Sequence, residues 1–565
     1  MFDALFTTTT EYKKLSHALS GKGACALFGL PASGRAQVYA ALCRQLDKPL
    51  CIVTPGEAEA TRFAADLNTL GIPAAVFPAR DYVLRPIEGT AREYEYRRLA
   101  VLGELVGGRL RAVAVPAEAL TQFTTPKEDF CANTRTLHAG DTLLRDDLLA
   151  ALFGAGYTRR AQVDGPGQFS VRGDIVDIFA PDQKMPVRME FWGDEIDTLH
   201  TFDLTTQRRE DAIDKFYLSP AREVLFGKPA DAAEQLRAFL AKQRGKKKTA
   251  MADCMAADLD LLDGGAVPVN MDKYLAVRYP HPATVLDYFD DPILVAEEPA
   301  SIREADRATA YRRGEELKSL ILDGVLCAGL DNLYADPSYL WSKTGHYRTI
   351  CAENFARSMP DQPLKDIINA PAHTLPAWNG EVAGLLEDLK PLCDAGYTVT
   401  LLAGTDRAAA GLARDLRDKG ILVTTDAAAA PAAGLVQVLA GHLSAGCEFP
   451  FAKYALLTGR AFGETSSQKK KRKKAKDALN SLTEITPGDL VVHQNHGIGR
   501  YAGIQRMAVQ GVTKDYLRIE YDKKDVLYVP VTQLDLLSRY TAPGDSENVK
   551  LSRLGGAEWT KTRKK

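Results

Sequence analysis

Nine cysteines are scattered through the 565 residues, and no two of them form a C-x-x-C pair. That spacing offers neither a thiolate zinc module nor a disulfide framework; it reads as a reduced thiol inventory, and the expected location is cytoplasmic. The sequence has no apolar run of the roughly 18 residues that a membrane-spanning helix needs. Its opening, MFDALFTTTTEYKKL, lacks the apolar segment of a signal peptide. Charge of one sign is scarce too: 71 basic residues face 73 acidic ones, for a net charge of −2. A globally basic nucleic-acid coat protein is therefore excluded, and only a local patch is left for that role. What is present is the make-up of an ordinary globular chain, 45% hydrophobic and 25% charged, long enough for several domains with cores of their own.

The stretch Gln162 to Leu204, QVDGPGQFSVRGDIVDIFAPDQKMPVRMEFWGDEIDTLHTFDL, reads as a β-meander. Val163, Phe169 and Val171 open it, Gly173 offers the ladder a place to bulge, and Val176 and Ile178 lead into the turn PDQKMP. Beyond the turn, Val187, Met189 and Phe191 alternate with Arg188, Glu190 and Trp192. Period-two alternation sends the two trios to opposite faces, the first to the core and the second to water. An outward arginine and tryptophan on one strand are the residue types that dominate binding hot spots. A plain polar face with one amphipathic aromatic explains the pattern equally well.

Before this insert, short apolar runs at ACALFGL, LCIVTP, AAVFP and RAVAVP alternate with helical stretches, the rhythm of a parallel α/β sheet. The turn GLPASGRA (Gly29 to Ala36) stands where a phosphate-binding loop would. A working loop reads G-x-x-x-x-G-K-[ST]. Here Gly29 and Gly34 are kept, Arg35 replaces the lysine, and Ala36 removes the magnesium-binding hydroxyl. A degenerate loop that does not bind ATP productively is expected. Further on, the buried run ILVA ends in Glu297 and Glu298, either the acids of a former nucleotide site or the start of the following helix. No catalytic residue is expected.

From about His346, four strand-like runs and the helix RAAAGLARDLRDKG make a small α/β unit with no acid-base or nucleophile constellation. SSQKKKRKKAKDALN follows, carrying seven basic residues between Lys469 and Lys476; it is a solvated linker or a DNA-phosphate contact. Ile485 to Tyr540 has four short strands separated by glycine and charged turns, the pattern of a small β-barrel or half-barrel. His493 and His496 lie in it, but no Cys, His or acidic residue falls at ligand spacing from them, so no metal site is expected.

RGDIVDIF (Arg172 to Phe179) followed by RMEFWGDEID (Arg188 to Asp197) resembles the insert domain that UvrB shares with the transcription-repair coupling factors (Mfd). HxxHGIGRYAGI with YLRIEY and LYVPV resembles the RNA-polymerase-interacting domain that those factors share with CarD-type regulators. The resemblance covers nearly the whole chain and matches the N-terminal half of such a factor. It implies a multidomain α/β architecture: a degenerate P-loop-type parallel-sheet module with a β-rich insert, a small α/β middle domain, and a small CarD-like, Tudor-like β-barrel. The expected divisions are 1–122 and 211–345 for the module, 123–210 for the insert, 346–462 for the middle domain and 463–484 for a basic linker. Residues 485–542 would be the polymerase-interacting domain and 543–565 the start of a connection to a motor. The resemblance further implies UvrA contact through Arg172, Arg188 and Trp192, where phenylalanine is the usual family residue at Trp192. It implies contact with the RNA polymerase β subunit along Gln505, Arg506 and Met507, although Met507 in a small core remains the other reading. The stretch RPIEGTAREYEYRRLAVLGEL is short where UvrB carries its DNA-clamping hairpin, which removes damage verification. The complete family protein adds an ATP- and magnesium-dependent double-stranded DNA translocase. None of its motifs occurs here, so a truncated chain that is not itself an enzyme and carries no cofactor is expected.

Overall fold

The computed structural model describes residues 5, 7–86, 92–355, 363–378, 381–459, 487–493, 496–509, 512–522, 525–530, 537–539 and 551–552. The first unit is built on a seven-stranded sheet in which every pairing is parallel. Its strand order is Leu364–Asn369, Gly23–Phe28, Arg348–Glu353, Ile293–Glu297, Leu50–Thr54, Ala112–Pro116 and Ala74–Val76. The inner strands are buried along their whole length, because helices cover both faces; that is why they read as unbroken apolar runs rather than as alternation. Two of the strands lie beyond residue 345, the expected end of this unit. Arg348–Glu353 fills the gap between Gly23–Phe28 and Ile293–Glu297, so the unit runs on to about residue 370.

The insert leaves and re-enters through a paired stem, Arg135–His138 against Lys215–Leu218. Its six-stranded sheet has the order Arg209–Ala212, Glu195–Phe202, Val187–Trp192, Ile175–Phe179, Gln168–Arg172 and Thr158–Arg159. The expected core trio Val187, Met189 and Phe191 is buried against Leu148 and Leu152 of the helix Arg145–Gly154. Gly173 does not form a bulge. It turns the chain back in a two-residue hairpin in which Arg172 faces Ile175, and its φ of 60° suits glycine at the first central position. Gly193 does the same between Trp192 and Glu195. At the root of the stem, Arg98 and Arg80 both reach the buried Glu223 carboxylate, at 2.6 and 3.1 Å. Arg80 also grips Asp272 at 2.7 Å, which ties the insert to both halves of the first unit.

The middle unit has a mixed six-stranded sheet, with Thr398–Leu402, Val423–Thr424, Val436–Leu439 and Tyr454–Thr458 in parallel where the sequence places strands. Its helix Asp406–Asp418 ends ahead of Gly420 at φ 78°, with Ile421 N–H bonded to Leu416 O. First and middle units share one core: Tyr39, Leu67 and Leu30 pack in the same cluster as Leu443, Cys447, Phe449 and Tyr454. The last unit is an antiparallel sheet in the order Val526–Pro530, Val512–Glu520, Gly497–Val509, Leu490–His493 and Leu537–Arg539. The two outer strands are not paired with each other among the described residues, and the sheet wraps around Val491, Leu517, Ile519 and Val529. The basic run 469–476 lies outside the described residues. No helix among the described residues is long and apolar enough to cross a membrane.

Candidate functional site

On the insert, strand alternation sets Arg188, Glu190 and Trp192 on the face away from the Leu148 core, but this face is not uniformly wet. Asp177 lies directly opposite Arg188 across the ladder. Its carboxylate, fully buried, takes a bidentate grip from Arg188, Nε to Oδ1 at 2.7 Å and Nη2 to Oδ2 at 2.9 Å. Arg172 donates to the same Oδ2 at 2.6 Å. The Arg188 guanidinium also lies over the Phe202 ring, 4.8 Å from its centroid, and donates to Gln207 O at 3.1 Å. Phe202 belongs to a small second cluster with Val163 and Phe179 that roofs this end of the face. Arg188 is therefore largely buried, where alternation alone sets it outward, because its partners cover it from both sides. Arg172 is half-exposed. Trp192, at the open end beside the Gly193 turn, is 82% exposed.

Asp177, Phe202 and Arg145 were not singled out by sequence reasoning. Arg145 holds the Gly173 turn from below, donating to Gly173 O at 2.9 Å. A signal for Asp177 was present, since it alternates with Val176 and Ile178 in RGDIVDIF, but its partner depends on strand register.

The turn Gly29 to Ala36 leads from the strand Gly23–Phe28 into the helix Ala32–Leu46. Gly29, at φ 88°, lies so close to the next strand's exit that a Cβ would stand 3.0 Å from Asn369 Oδ1 and 3.1 Å from Ala370 O. Arg35 turns inward and is buried. It pairs with Glu297 at 2.9 Å and Glu298 at 3.0 Å, and donates to Leu30 O and Asn354 Oδ1. Tyr39 donates to the other Glu297 oxygen at 2.5 Å. Burial pushes the Glu297 carboxyl above its ordinary range, against the pull of Arg35. Glu298 stands at the N-cap position of the helix Pro299–Leu322 in a left-handed conformation without a side-chain capping bond, and both acids face the loop, where Arg35 occupies them. The middle unit covers the loop from outside. A Cβ on Gly34 would stand 2.8 Å from Cys447 Sγ and 3.3 Å from the Phe449 ring.

In the last unit, Gln505 is exposed and lies opposite Tyr516, while Arg506 and Met507 pair with Asp515 and Lys514. The side chains of Arg506 and Met507 lie outside the described residues. The strand Leu490–His493 pairs with residues 497–500 alone. Gly488 and Asp489 carry the pairing on to Tyr501; past Tyr501 no strand among the described residues pairs with that edge of the long strand. The two histidines of this unit do acquire an acidic neighbour that spacing could not reveal. The Glu93 carboxylate, some 400 positions earlier, accepts from His496 Nε2 at 2.8 Å. The His493 ring lies 4.7 Å from that of His496. Burial, with the charge of His496, pushes the His493 pKa down to about 4 despite Glu93.

Two family descriptions match the chain: "UvrB interaction domain" over residues 136–224, which contains the Asp177 and Trp192 face, and "CarD-like/TRCF RID domain" over residues 485–541. Proteins named transcription-repair-coupling factor align with 95% of the chain. This chain is similar to transcription-repair-coupling factors along nearly its whole length. Those of Bacillus subtilis (strain 168) and Staphylococcus haemolyticus (strain JCSC1435) are each 28% identical, over 554 and 555 residues. That of Staphylococcus aureus (strain MRSA252) is 26% identical over 551 residues. In each case the match takes in 47% of the relative, so the chain spans about half the length of the curated relatives it matches. Residues 225–484 separate the two matched domains.

Proposed function

We propose that this chain is the partner-gathering part of a transcription-repair coupling factor, docking UvrA through the open end of the insert face and RNA polymerase through the last sheet. The observation that carries the reading is Trp192. A tryptophan left 82% exposed at the end of a strand whose other residues are buried or half-buried is a ready interface anchor, and the Asp177 clasp fixes the surface around it before any partner arrives. In this reading Trp192 and Arg172 make the UvrA contact, and Arg188 positions Arg172 through their shared carboxylate. The polymerase contact, on the β subunit, uses the unpaired edge near Gln505, Arg506 and Met507, where main-chain hydrogen bonds extend a partner's sheet. The last unit then acts as a CarD-like barrel-type module. The first unit is a P-loop-type sheet whose nucleotide site has been retired. ATP, magnesium and double-stranded DNA are handled by the translocase of the complete protein in the cytoplasm, and this chain performs no catalysis.

The test is a titration of UvrA with wild type and Trp192→Ala. Losing a central Trp anchor costs about 2–4 kcal/mol, or roughly 30- to 1000-fold in affinity. The melting temperature should stay unchanged, since the side chain packs on nothing it would leave void. Equal affinity of the two proteins would remove this face from the UvrA contact. For polymerase, Met507→Arg in the whole chain is expected to abolish pull-down with an unchanged circular dichroism spectrum; retained pull-down would clear that strand.

A further inference from the structure

We propose that Glu93, His493 and His496 form a binding site for one divalent transition-metal ion of the zinc type, which ties the last sheet to the first α/β unit. One ligand atom from each residue lies within 4.8 Å of the others. The closest pair, His496 Nε2 and Glu93 Oε1, is 2.8 Å apart. Ligand atoms around a tetrahedral ion at about 2.0–2.2 Å stand roughly 3.3–3.5 Å from one another. The observed spacings bracket that value, so side-chain adjustment brings all three onto an ion without moving a strand. A second observation points to a missing partner: Glu93 Oε2 is buried and has no hydrogen-bond partner among the described residues.

The donor set selects the ion. Two imidazoles and one carboxylate suit zinc and its neighbours, whereas magnesium and calcium ask for oxygen ligands throughout. The scaffold is rigid where it matters. His493 ends a strand and is held in the ladder by Gly497 on one side and Leu537 on the other. His496 stands just ahead of the strand that begins at Gly497, and Glu93 is the first residue of the helix Glu93–Val106. Three protein ligands leave a fourth position for water. Without metal, the Glu93–His496 contact is one hydrogen bond between units; with it, the same three side chains become a cross-link. The site does not depend on which partners the two units bind.

The test uses the whole chain, stripped with a chelator, incubated with excess zinc, desalted and analysed by inductively coupled plasma mass spectrometry. Wild type should retain one equivalent. Glu93→Gln, which keeps the side-chain shape, and His496→Ala should each weaken retention at least about tenfold. Cobalt in place of zinc should give visible ligand-field bands without the intense near-ultraviolet charge-transfer band of thiolate ligands. Circular dichroism checks that both variants are folded; if His496→Ala is not, Glu93→Gln decides alone. No retained metal in wild type, equal retention by wild type and Glu93→Gln, or a thiolate band would each overturn the proposal.

Discussion

Arg35 and Arg188 are each set against a buried carboxylate on a neighbouring strand, and the two places come to opposite ends. At Arg35 the guanidinium reaches Glu297 and Glu298, and the middle unit's Cys447 and Phe449 then cover the loop. At Arg188 the guanidinium reaches Asp177, but the covering cluster of Val163, Phe179 and Phe202 stops short, and the strand runs on to an exposed Trp192. The same ion-pair chemistry closes one site and braces another. The difference lies in what packs over the pair. A buried pair is a poor guide to function by itself, since its net worth against water is small and its loss is costly; the open surface next to it is the informative feature.

That contrast can be broken most forcefully at Arg35. Arg35→Ala strands Glu297 without its cation, and breaking such a buried pair costs about 3–5 kcal/mol. The stranded carboxyl escapes part of this penalty by binding a proton, so the loss should be larger in mildly alkaline than in mildly acid buffer. The folded variant binds more protons than its unfolded chain, and stability therefore falls as pH rises. Urea unfolding at two pH values measures both effects; an unchanged midpoint would mean that the pair does not hold the loop. Replacing Arg35 and Glu297 together with methionine should recover most of the loss.

Arg188→Ala is the next largest. It removes charge-assisted bonds to Asp177, worth about 1.5–3 kcal/mol, and Arg188→Lys should restore little because an ammonium cannot match the bidentate fork. Differential scanning calorimetry distinguishes this from Trp192→Ala, for which no shift is expected. If Arg188→Ala melted like wild type, the face would be braced by something other than its clasp. The smallest expected effect sharpens the closed side. Restoring the loop's missing groups, with Arg35→Lys and Ala36→Thr together, should give no rise in melting temperature with magnesium-ATP, because Cys447 and Phe449 still lie against Gly34. A saturable rise would show that the cover opens.

Much of this was legible in the sequence where the signal is local. Alternation at Val187 to Trp192 separated core from surface, and the apolar runs at Leu50, Ala112 and Ile293 marked strands that are buried on both faces. What could not be read was set by register and by distance along the chain. Arg188 looked exposed because its covering partners Asp177, Phe202 and Gln207 come from other strands and turns. The unit boundary fell early because a parallel strand finds its neighbours far away in sequence: Arg348–Glu353 pairs with residues near 25 and 295. Glu93 beside the two histidines is the extreme case, since no spacing rule spans 400 residues.

The covering of Gly34 by Cys447 has a meaning for anyone who would take the molecule apart. Leu30, Tyr39 and Leu67 from one unit, and Leu443, Phe449 and Tyr454 from the other, belong to one continuous interior. Cutting the chain near residue 372 would open a greasy wound on both fragments, and neither should be soluble alone. The two units are one thermodynamic object with two sheets. Heat should melt them in a single step, whatever number of domains a sequence map draws there.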